Sequence, residues 1–386
     1  MRTICVVTGN RADFGLLLPV IRALQAADDV RVQTLVTGAH LEGATGRTVD
    51  DIAAAGVEIT AEVEMTLASD TPIAVAKSTG LCIISSAEAL ARLAPDLIVV
   101  LGDRYEILAV CLAATFATIP IAHLHGGEAT EGAIDEGIRH AITKLAHLHF
   151  PATEAYRARL LQLGENPANV HAFGTPAIDN VAALEPLPVA ALEERVGLPL
   201  SGRRVAVATF HPETLHPERS SAVVEPTLAV LAERTDLVTV FTAANTDVAG
   251  RAINAAVGRF VSAYPDRAVL LDTLGTRAYL SLVRLADVVI GNSSSGLIEV
   301  PAVGTPTVNV GDRQGGRARG PSVIDAPNDR AAIGRALDRA MGEQHAQLSR
   351  TAVSPYGVAG AAARIAEVLR TVDLAPLLIK RFHTPA

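Results

Sequence analysis

The residues best suited to chemistry gather in one short stretch, His123-Leu124-His125-Gly126-Gly127-Glu128, with Glu131, Asp135 and Glu136 close behind. Imidazole and carboxylate are the groups used for proton transfer near neutral pH. The paired glycines let the backbone turn tightly and approach a ligand. An apolar run over 119–122 precedes them and reads as a short buried strand. The chemistry is therefore expected just beyond a strand's carboxyl end. Glu128 and Asp135 suit acid–base work because they follow the bend closely. Asp135 with Glu136 also opens a helix, where negative charge compensates the dipole, and the two uses are compatible.

Further polar residues recur where strands are expected to end. Gly102-Asp103-Arg104 follows an apolar run, and Asp103 is either a general base or the partner that positions Arg104. Arg11, Arg104 and Arg313 all sit a few residues past a strand, and guanidinium binds diphosphate bidentately while staying charged. Gly291-Asn292-Ser293-Ser294-Ser295-Gly296 lies between a strand and a helix. Free helix N-terminal amides and small hydroxyls there make an anion site. Helix capping is the plainer use of serine, but three in a row exceed what a cap needs. The stretch is neither a P-loop nor a dinucleotide fingerprint. His211, before Pro212 at a strand end, is either a structural histidine, the commoner case, or a group that meets phosphate. His123 with His125, and His147 with His149, have the alternating spacing of zinc ligands on one strand face. No cysteine accompanies either pair, and no metal or other cofactor is expected.

The elements that must position these residues alternate. Strands are expected over 3–8, 30–37, 96–101, 119–123, 147–151 and 170–173. Helices fall between them over 16–27, 48–55, 73–93, 105–116, 135–146 and 154–163. After a proline-rich break with one short helix over 189–196, the rhythm restarts. Strands are then expected over 204–210, 237–242, 268–271, 287–291 and 307–310, and a last helix over 359–372. Strands apolar on both faces, joined by helices, imply parallel sheets. The expected division is an N-terminal domain over 1–182, a linker over 183–203, a second domain over 204–355 and a C-terminal segment over 356–386. Ligands bind at the carboxyl ends of strands in such sheets. The active site is expected in a cleft between the domains.

Composition narrows the class. The chain has 386 residues, enough for two domains with sizeable cores, and is 49% hydrophobic, 3% aromatic and without Trp. Its net charge of −8 argues against nucleic acid or an anionic membrane as the main partner. Its three cysteines, Cys5, Cys82 and Cys111, are scattered in apolar contexts and read as reduced core thiols. No signal-peptide pattern precedes the first strand, and no apolar run reaches the ~18 residues that span a bilayer. A soluble cytoplasmic protein is expected.

Taken together, several motifs resemble the hydrolysing UDP-N-acetylglucosamine 2-epimerases of sialic acid biosynthesis. They are Asn10-Arg11-Ala12-Asp13, Gly102-Asp103-Arg104, His123 to Glu128, Ile134-Asp135-Glu136 with Arg139-His140 and Lys144, and Gly291 to Gly296. The resemblance covers nearly the whole chain. It implies two Rossmann-like doubly wound domains of the glycosyltransferase-B type, with the C-terminal helix packing back on the first. It implies release of N-acetylmannosamine and UDP from UDP-N-acetylglucosamine and water, through elimination of UDP and hydration of 2-acetamidoglucal. It places Asp103, Arg104 and Asp135 at catalytic or substrate-contacting positions. It assigns Arg11, Asp13, His211, Asn245, Ser293, Ser294, Glu299 and Arg313 to substrate and UDP, with Glu299 on the ribose. Some relatives carry a catalytic Glu where this chain has His125. Here the proton role falls either to His125, which can titrate near neutrality, or to Glu128. The nonhydrolysing branch fits less well, because its Glu-Ala-Gly pattern is replaced by His-Gly-Gly-Glu. An appended kinase domain is not expected in this length, and the family suggests a homodimer. A close alternative substrate is UDP-2,4-diacetamido-2,4,6-trideoxyglucose, of the legionaminic acid pathway. A glycosyltransferase of the same fold is the alternative of a different class.

Overall fold

The structure is a computed structural model that describes residues 1–42, 48–67, 69, 71–131, 133–212, 220–244 and 248–384. It divides into two compact units. The first comprises Met1–Glu128, Ile134–Asn180 and Tyr356–Ala386, and the second Ala129–Ala133 and Val181–Pro355.

The first unit holds β1 (Arg2–Thr8), β2 (Val30–Thr37), β3 (Ala61–Val63), β4 (Leu97–Leu101), β5 (Ile121–Leu124) and β6 (Leu148–Phe150). They form a parallel sheet in the order β3-β2-β1-β4-β5-β6. Successive side chains of a strand point to opposite faces, so each strand feeds two cores. Ile4, Val6, Leu97 and Val99 pack with Leu17 and Ile21 of helix Arg11–Gln25 and with Ile365 and Leu369 of helix Ala361–Thr371. Cys5, Val7, Ile98 and Val100 face the opposite way, among Cys82, Ala89, Val110 and Cys111. Asp179 fixes the start of the C-terminal helix by accepting from the amide of Ala362 at 2.8 Å.

The second unit holds β7 (Arg204–Thr209), β8 (Leu237–Thr242), β9 (Ala268–Leu271), β10 (Val288–Gly291), β11 (Thr307–Val310) and β12 (Val323–Ala326). Their order is β12-β11-β10-β7-β8-β9, again all parallel. Counted within each unit, both sheets have the 3-2-1-4-5-6 order of doubly wound folds. The order reverses between β1 and β4 in the first unit and between β7 and β10 in the second.

Several expectations change. The strand expected over 170–173 is reduced to a single bridge between Val170 and His149. The short edge strands β3 and β12, and helices Pro176–Ala182 and Glu343–Thr351, were not anticipated. The stretch 183–203 is not a bare linker: Leu192, Val196, Leu198 and Leu200 are buried in the second unit's core. Helix Pro72–Leu93 is long and apolar enough by length and composition to cross a membrane, although no single uninterrupted run suggested it. It buries Ala74, Ser78, Cys82, Ser86, Ala89 and Leu90 in the first unit and leaves Ile73, Leu81 and Ile84 exposed.

Candidate functional site

In the first unit, polar groups crowd the turns after β1 and β4, where the sheet order reverses. Asn10 caps helix Arg11–Gln25, its Oδ1 accepting from the amides of Ala12 at 2.9 Å and Asp13 at 3.0 Å. Arg11 is the first helical residue and is exposed. A cation there opposes the helix dipole, so its placement suits an external anion better than helix stability. Asp13 is buried, with Oδ2 accepting from Asn10 Nδ2 at 2.7 Å. Burial, then the charge of Glu106, push its carboxyl up to about 8, against the opposing pull of Arg104. Arg104 precedes helix Tyr105–Phe116, and its Nε donates to Glu106 Oε1 at 2.5 Å.

The Gly-Gly bend is held from beneath. Gly127 has φ 77°, and a Cβ there would lie 2.5 Å from the Tyr156 carbonyl oxygen. One on Gly126 would lie 3.0 Å from His123 Nδ1. His123 is fully buried; its Nε2 meets the Gly102 carbonyl at 2.8 Å, and burial lowers its pKa to about 3. The regular strand stops at Leu124, and His125 adopts a left-handed conformation with φ 65°. The two imidazoles therefore do not form the one-face pair that the spacing suggested. His125 Nδ1 lies 2.9 Å from Glu128 Oε1, and Nε2 lies 3.0 Å from Thr175 Oγ1. Both ring nitrogens of His125 thus lie close to groups inside the protein, Nδ1 to Glu128 and Nε2 to Thr175. His147 and His149 likewise part company: His147 Nδ1 accepts from the Ile121 amide at 3.1 Å, while His149 Nε2 faces Glu165 at 2.9 Å. Among the described residues no group of three or more His, Cys, Asp or Glu could hold a metal ion.

Arg139 binds this region together. It is 1% exposed, and its Nε donates to Asp103 Oδ2 at 3.0 Å, with Nη2 contacting the same oxygen. Nη1 donates to the Glu128 carbonyl at 2.8 Å and to Glu136 Oε2 at 2.6 Å. Burial alone would weaken its charge, but Asp103 and Glu128 outweigh that and raise its pKa. Asp135 stands half-buried at the start of helix Asp135–Leu145, which carries Arg139. Asp103, Arg139, Glu136 and the Glu128–His125 pair thus form one connected cluster.

In the second unit the corresponding turns follow β7 and β10. Gly291 has φ 143°, and a Cβ there would lie 1.9 Å from the Thr209 carbonyl oxygen, so only glycine lets the strands meet at this point. Asn292 is fully buried and acts as a hub. Its Oδ1 accepts from the His211 amide at 2.7 Å, and its Nδ2 donates to the His211 carbonyl at 2.8 Å. Its own carbonyl accepts from Arg313 Nη1 at 3.1 Å and Gln314 Nε2 at 2.7 Å. His211, Arg313 and the serine loop are thereby held together. Burial and then Arg313 lower the His211 pKa to about 3. Ser294 precedes helix Ser295–Val303 without using its hydroxyl as a cap, and Ser293 Oγ accepts weakly from the Ser295 amide at 3.4 Å. Half-buried Glu299 lies near Tyr279, whose hydroxyl meets Ser295 Oγ at 2.9 Å. Asn245 lies outside the described residues.

The first unit brings Asp103, Glu128 and His125 together through Arg139, with Asp135 one helical turn before Arg139, and it sets Arg104 and Asp13 within electrostatic reach of each other and of Asp103. The second unit brings together His211, Arg313, Ser293 and Ser294. The sequence did not single out Glu106, Thr175, Asn292 or Gln314 as site residues, and gave Arg139 no role. Asn292 sits inside the noticed Gly-to-Gly motif, and Arg139 follows Asp135 by one helical turn, a spacing that brings side chains together.

A family profile described as UDP-N-acetylglucosamine 2-epimerase matches residues 22–370. The chain is 38% identical over 325 residues to a GDP/UDP-N,N'-diacetylbacillosamine 2-epimerase (hydrolyzing) of Campylobacter jejuni, covering 84% of each chain. It is 34% identical over 359 residues to the polysialic acid biosynthesis protein P7 of Escherichia coli, covering 92% of this chain and 90% of that one. Its fold is similar to the crystal structure of UDP-GlcNAc 2-epimerase from Neisseria meningitidis bound to UDP-GlcNAc. That likeness has TM-score 0.81 and 17% identity, over 96% of this chain and 99% of that one. With that profile spanning most of its length and such relatives matching nearly end to end, the chain belongs to the UDP-N-acetylglucosamine 2-epimerase family, in its hydrolysing branch.

Proposed function

We propose that the protein is a hydrolysing 2-epimerase of UDP-2-acetamido sugars, releasing UDP and the free sugar inverted at C2. The observation that carries this reading is the cluster in which buried Arg139 ties Asp103, Glu136 and the Glu128 backbone together beside the Gly-Gly bend. A base takes the proton from C2, the C1–C2 double bond forms, and UDP departs with the C1–O electron pair. Water then adds hydroxyl at C1 and a proton at C2 on the opposite face. Asp103, Glu128 and Asp135 supply the base and acid, and His125 orients Glu128. Arg104 meets developing negative charge. Arg11, Asp13, His211, Asn245, Ser293, Ser294 and Arg313 contact the nucleotide sugar, and Glu299 the ribose.

The relative in Campylobacter jejuni, by its name, acts on diacetylbacillosamine linked to GDP or UDP, and it favours a 2,4-diacetamido-2,4,6-trideoxy sugar as the substrate here. UDP-N-acetylglucosamine is the second reading, favoured by the ligand of the similar Neisseria structure and by the family description. The three buried free cysteines support a cytoplasmic site of action. The exposed Ile73, Leu81, Ile84 and Phe116, on helices that pack against each other, support a homodimer through that face.

Proton NMR in deuterium oxide tests the proposal, with the UDP- and GDP-diacetamido sugars and UDP-N-acetylglucosamine in parallel. Free sugar with inverted, deuterated C2 and released nucleotide is expected. Release with C2 proton and configuration retained refutes elimination. UDP binding without hydrolysis points to a glycosyltransferase.

A further inference from the structure

Beneath the turn after β1 lies a carboxylate to which the proposed chemistry gives no part. Glu106 is fully buried, and its Oε2 has no hydrogen-bond partner among the described residues. Two glycines make room for it. A Cβ on Gly9 would lie 2.7 Å from Glu106 Cγ and 2.8 Å from Oε1, and one on Gly38 would lie 3.3 Å from Cγ. Burying a carboxylate with one oxygen unsatisfied is costly, and such sites persist where the charge has a use.

The use is legible in what surrounds it. Glu106 Oε1 takes the Nε–H of Arg104 at 2.5 Å, while the Arg104 side chain stays 36% exposed. A guanidinium held through Nε turns its Nη groups away from that carboxylate, here with the Tyr105 hydroxyl also in reach of the guanidinium, and such an edge can bind an anionic oxygen pair bidentately. The Tyr105 ring, with its centroid 5.5 Å from Arg104 Cζ, limits the swing of the side chain. We propose that Glu106 is a positioning residue, holding Arg104 by Nε so that its Nη edge receives a negatively charged oxygen of the substrate.

The same charge acts on Asp13. Burial and Glu106 hold the Asp13 carboxyl up at about 8, Arg104 opposes them and Asp103 adds to them. Burial opposes charge on the other titratable neighbours. His40, bonded to Thr8, is lowered to about 4 by burial, Cys82 is raised by burial, and Tyr105 is raised by burial and by Glu106. A change at Glu106 is therefore read directly at Asp13.

The identity of the substrate rests on the epimerase reading, whereas the coupling of Glu106 to Asp13 and Arg104 does not. The test compares wild type with Glu106→Gln, which keeps shape and removes charge. Carbon-13 NMR follows the Asp13 carboxyl, identified by its loss in Asp13→Asn. The expected midpoint falls by about one unit or more in Glu106→Gln. The variant's kcat is expected to fall about tenfold or more, and its dissociation constant for UDP to rise, because the negatively charged oxygens of the substrate are those of its diphosphate. An unmoved midpoint or a wild-type kcat overturns the proposal. Arg104→Lys keeps the cation but lacks the Nε–H, and should show the same kcat loss; a wild-type kcat there overturns the proposal even if Glu106→Gln fails to fold. A wild-type protein inactive on every nucleotide sugar sinks the epimerase reading, and the Asp13 titration then decides the coupling alone.

Discussion

Replacing Arg139 by glutamine probes the connection that organises the first unit's cluster. Arg139 is 1% exposed and meets Asp103, Glu136 and the Glu128 carbonyl through three of its nitrogen positions. Removing one partner of a fully buried ion pair costs about 3–5 kcal/mol. Here Asp103 and Glu136 keep 22% and 30% of their side-chain exposure, so water recovers part of that cost. Glutamine can still donate one hydrogen bond, leaving a net loss of about 2–3 kcal/mol. For a unit of this size the loss lowers the melting temperature by about 5–10 °C. Function should suffer more than stability, because Asp103 and Glu128 both lose their common brace. Misplacement by about 1 Å costs on the order of a hundredfold in rate. Scanning calorimetry, kcat on the best nucleotide sugar, and titration calorimetry with UDP separate these effects. UDP affinity should hold, since Ser293, Ser294 and Arg313 belong to the other unit. Arg139→Lys keeps charge without the fork and should fall between the two. Wild-type kcat and melting in Arg139→Gln, or a parallel loss of UDP affinity, would refute the reasoning.

Gly291→Ala drives a methyl group to 1.9 Å from the Thr209 carbonyl, a clash that strands β7 and β10 cannot absorb; more than about 4 kcal/mol of stability is lost, seen as insoluble protein or an absent second-unit transition. Ser294→Ala combined with Arg313→Ala removes a hydroxyl and a cation from the serine loop's surroundings, and UDP binding should weaken about tenfold or more by calorimetry; unchanged affinity would exclude a phosphate cradle there. Asp13→Asn changes the pH dependence of stability in a defined direction. The Asp13 carboxyl is raised to about 8, so its stabilising proton is fully present below the ordinary carboxylate range and is lost as pH climbs through 8. The stability of the variant relative to wild type should therefore rise by about 4 kcal/mol between pH 5 and pH 9 in urea melts; a constant difference across that range would contradict the assigned protonation.

The chain's local patterns carried much of the fold. Strands such as Leu97–Leu101, apolar at every position, could only lie in a sheet covered on both faces, and glycine or polar residues marked where they stop. Edge strands Ala61–Val63 and Val323–Ala326 escaped because three or four residues give too short a period to read. Helix Glu343–Thr351 escaped because it buries only His345 and Ser349 and shows little apolar repetition.

For the site, residue type and position past a strand were enough to find Asp103, Arg104, Glu128, Asp135, Arg313 and the serine loop, because topology alone brings the turns at a sheet's carboxyl edge together. Side-chain partnership was beyond that reach. Arg139 meets Asp103 across 36 positions of sequence. Glu106 lies under Gly9 and Gly38, contributed by two other strand ends, and Asn292 grips the backbone of His211 from 81 positions away. The sequence left the proton role open between His125 and Glu128, and only the left-handed backbone at His125 shows its ring nitrogens lying against Glu128 and Thr175. By itself the sequence determined which elements form and which polar residues stand at their ends, since both follow from periodicity within a few neighbours. Only the tertiary structure decided which of those residues hold one another and which face outward, since burial, charge coupling and hydrogen-bond geometry exist only once distant segments share the same few ångströms.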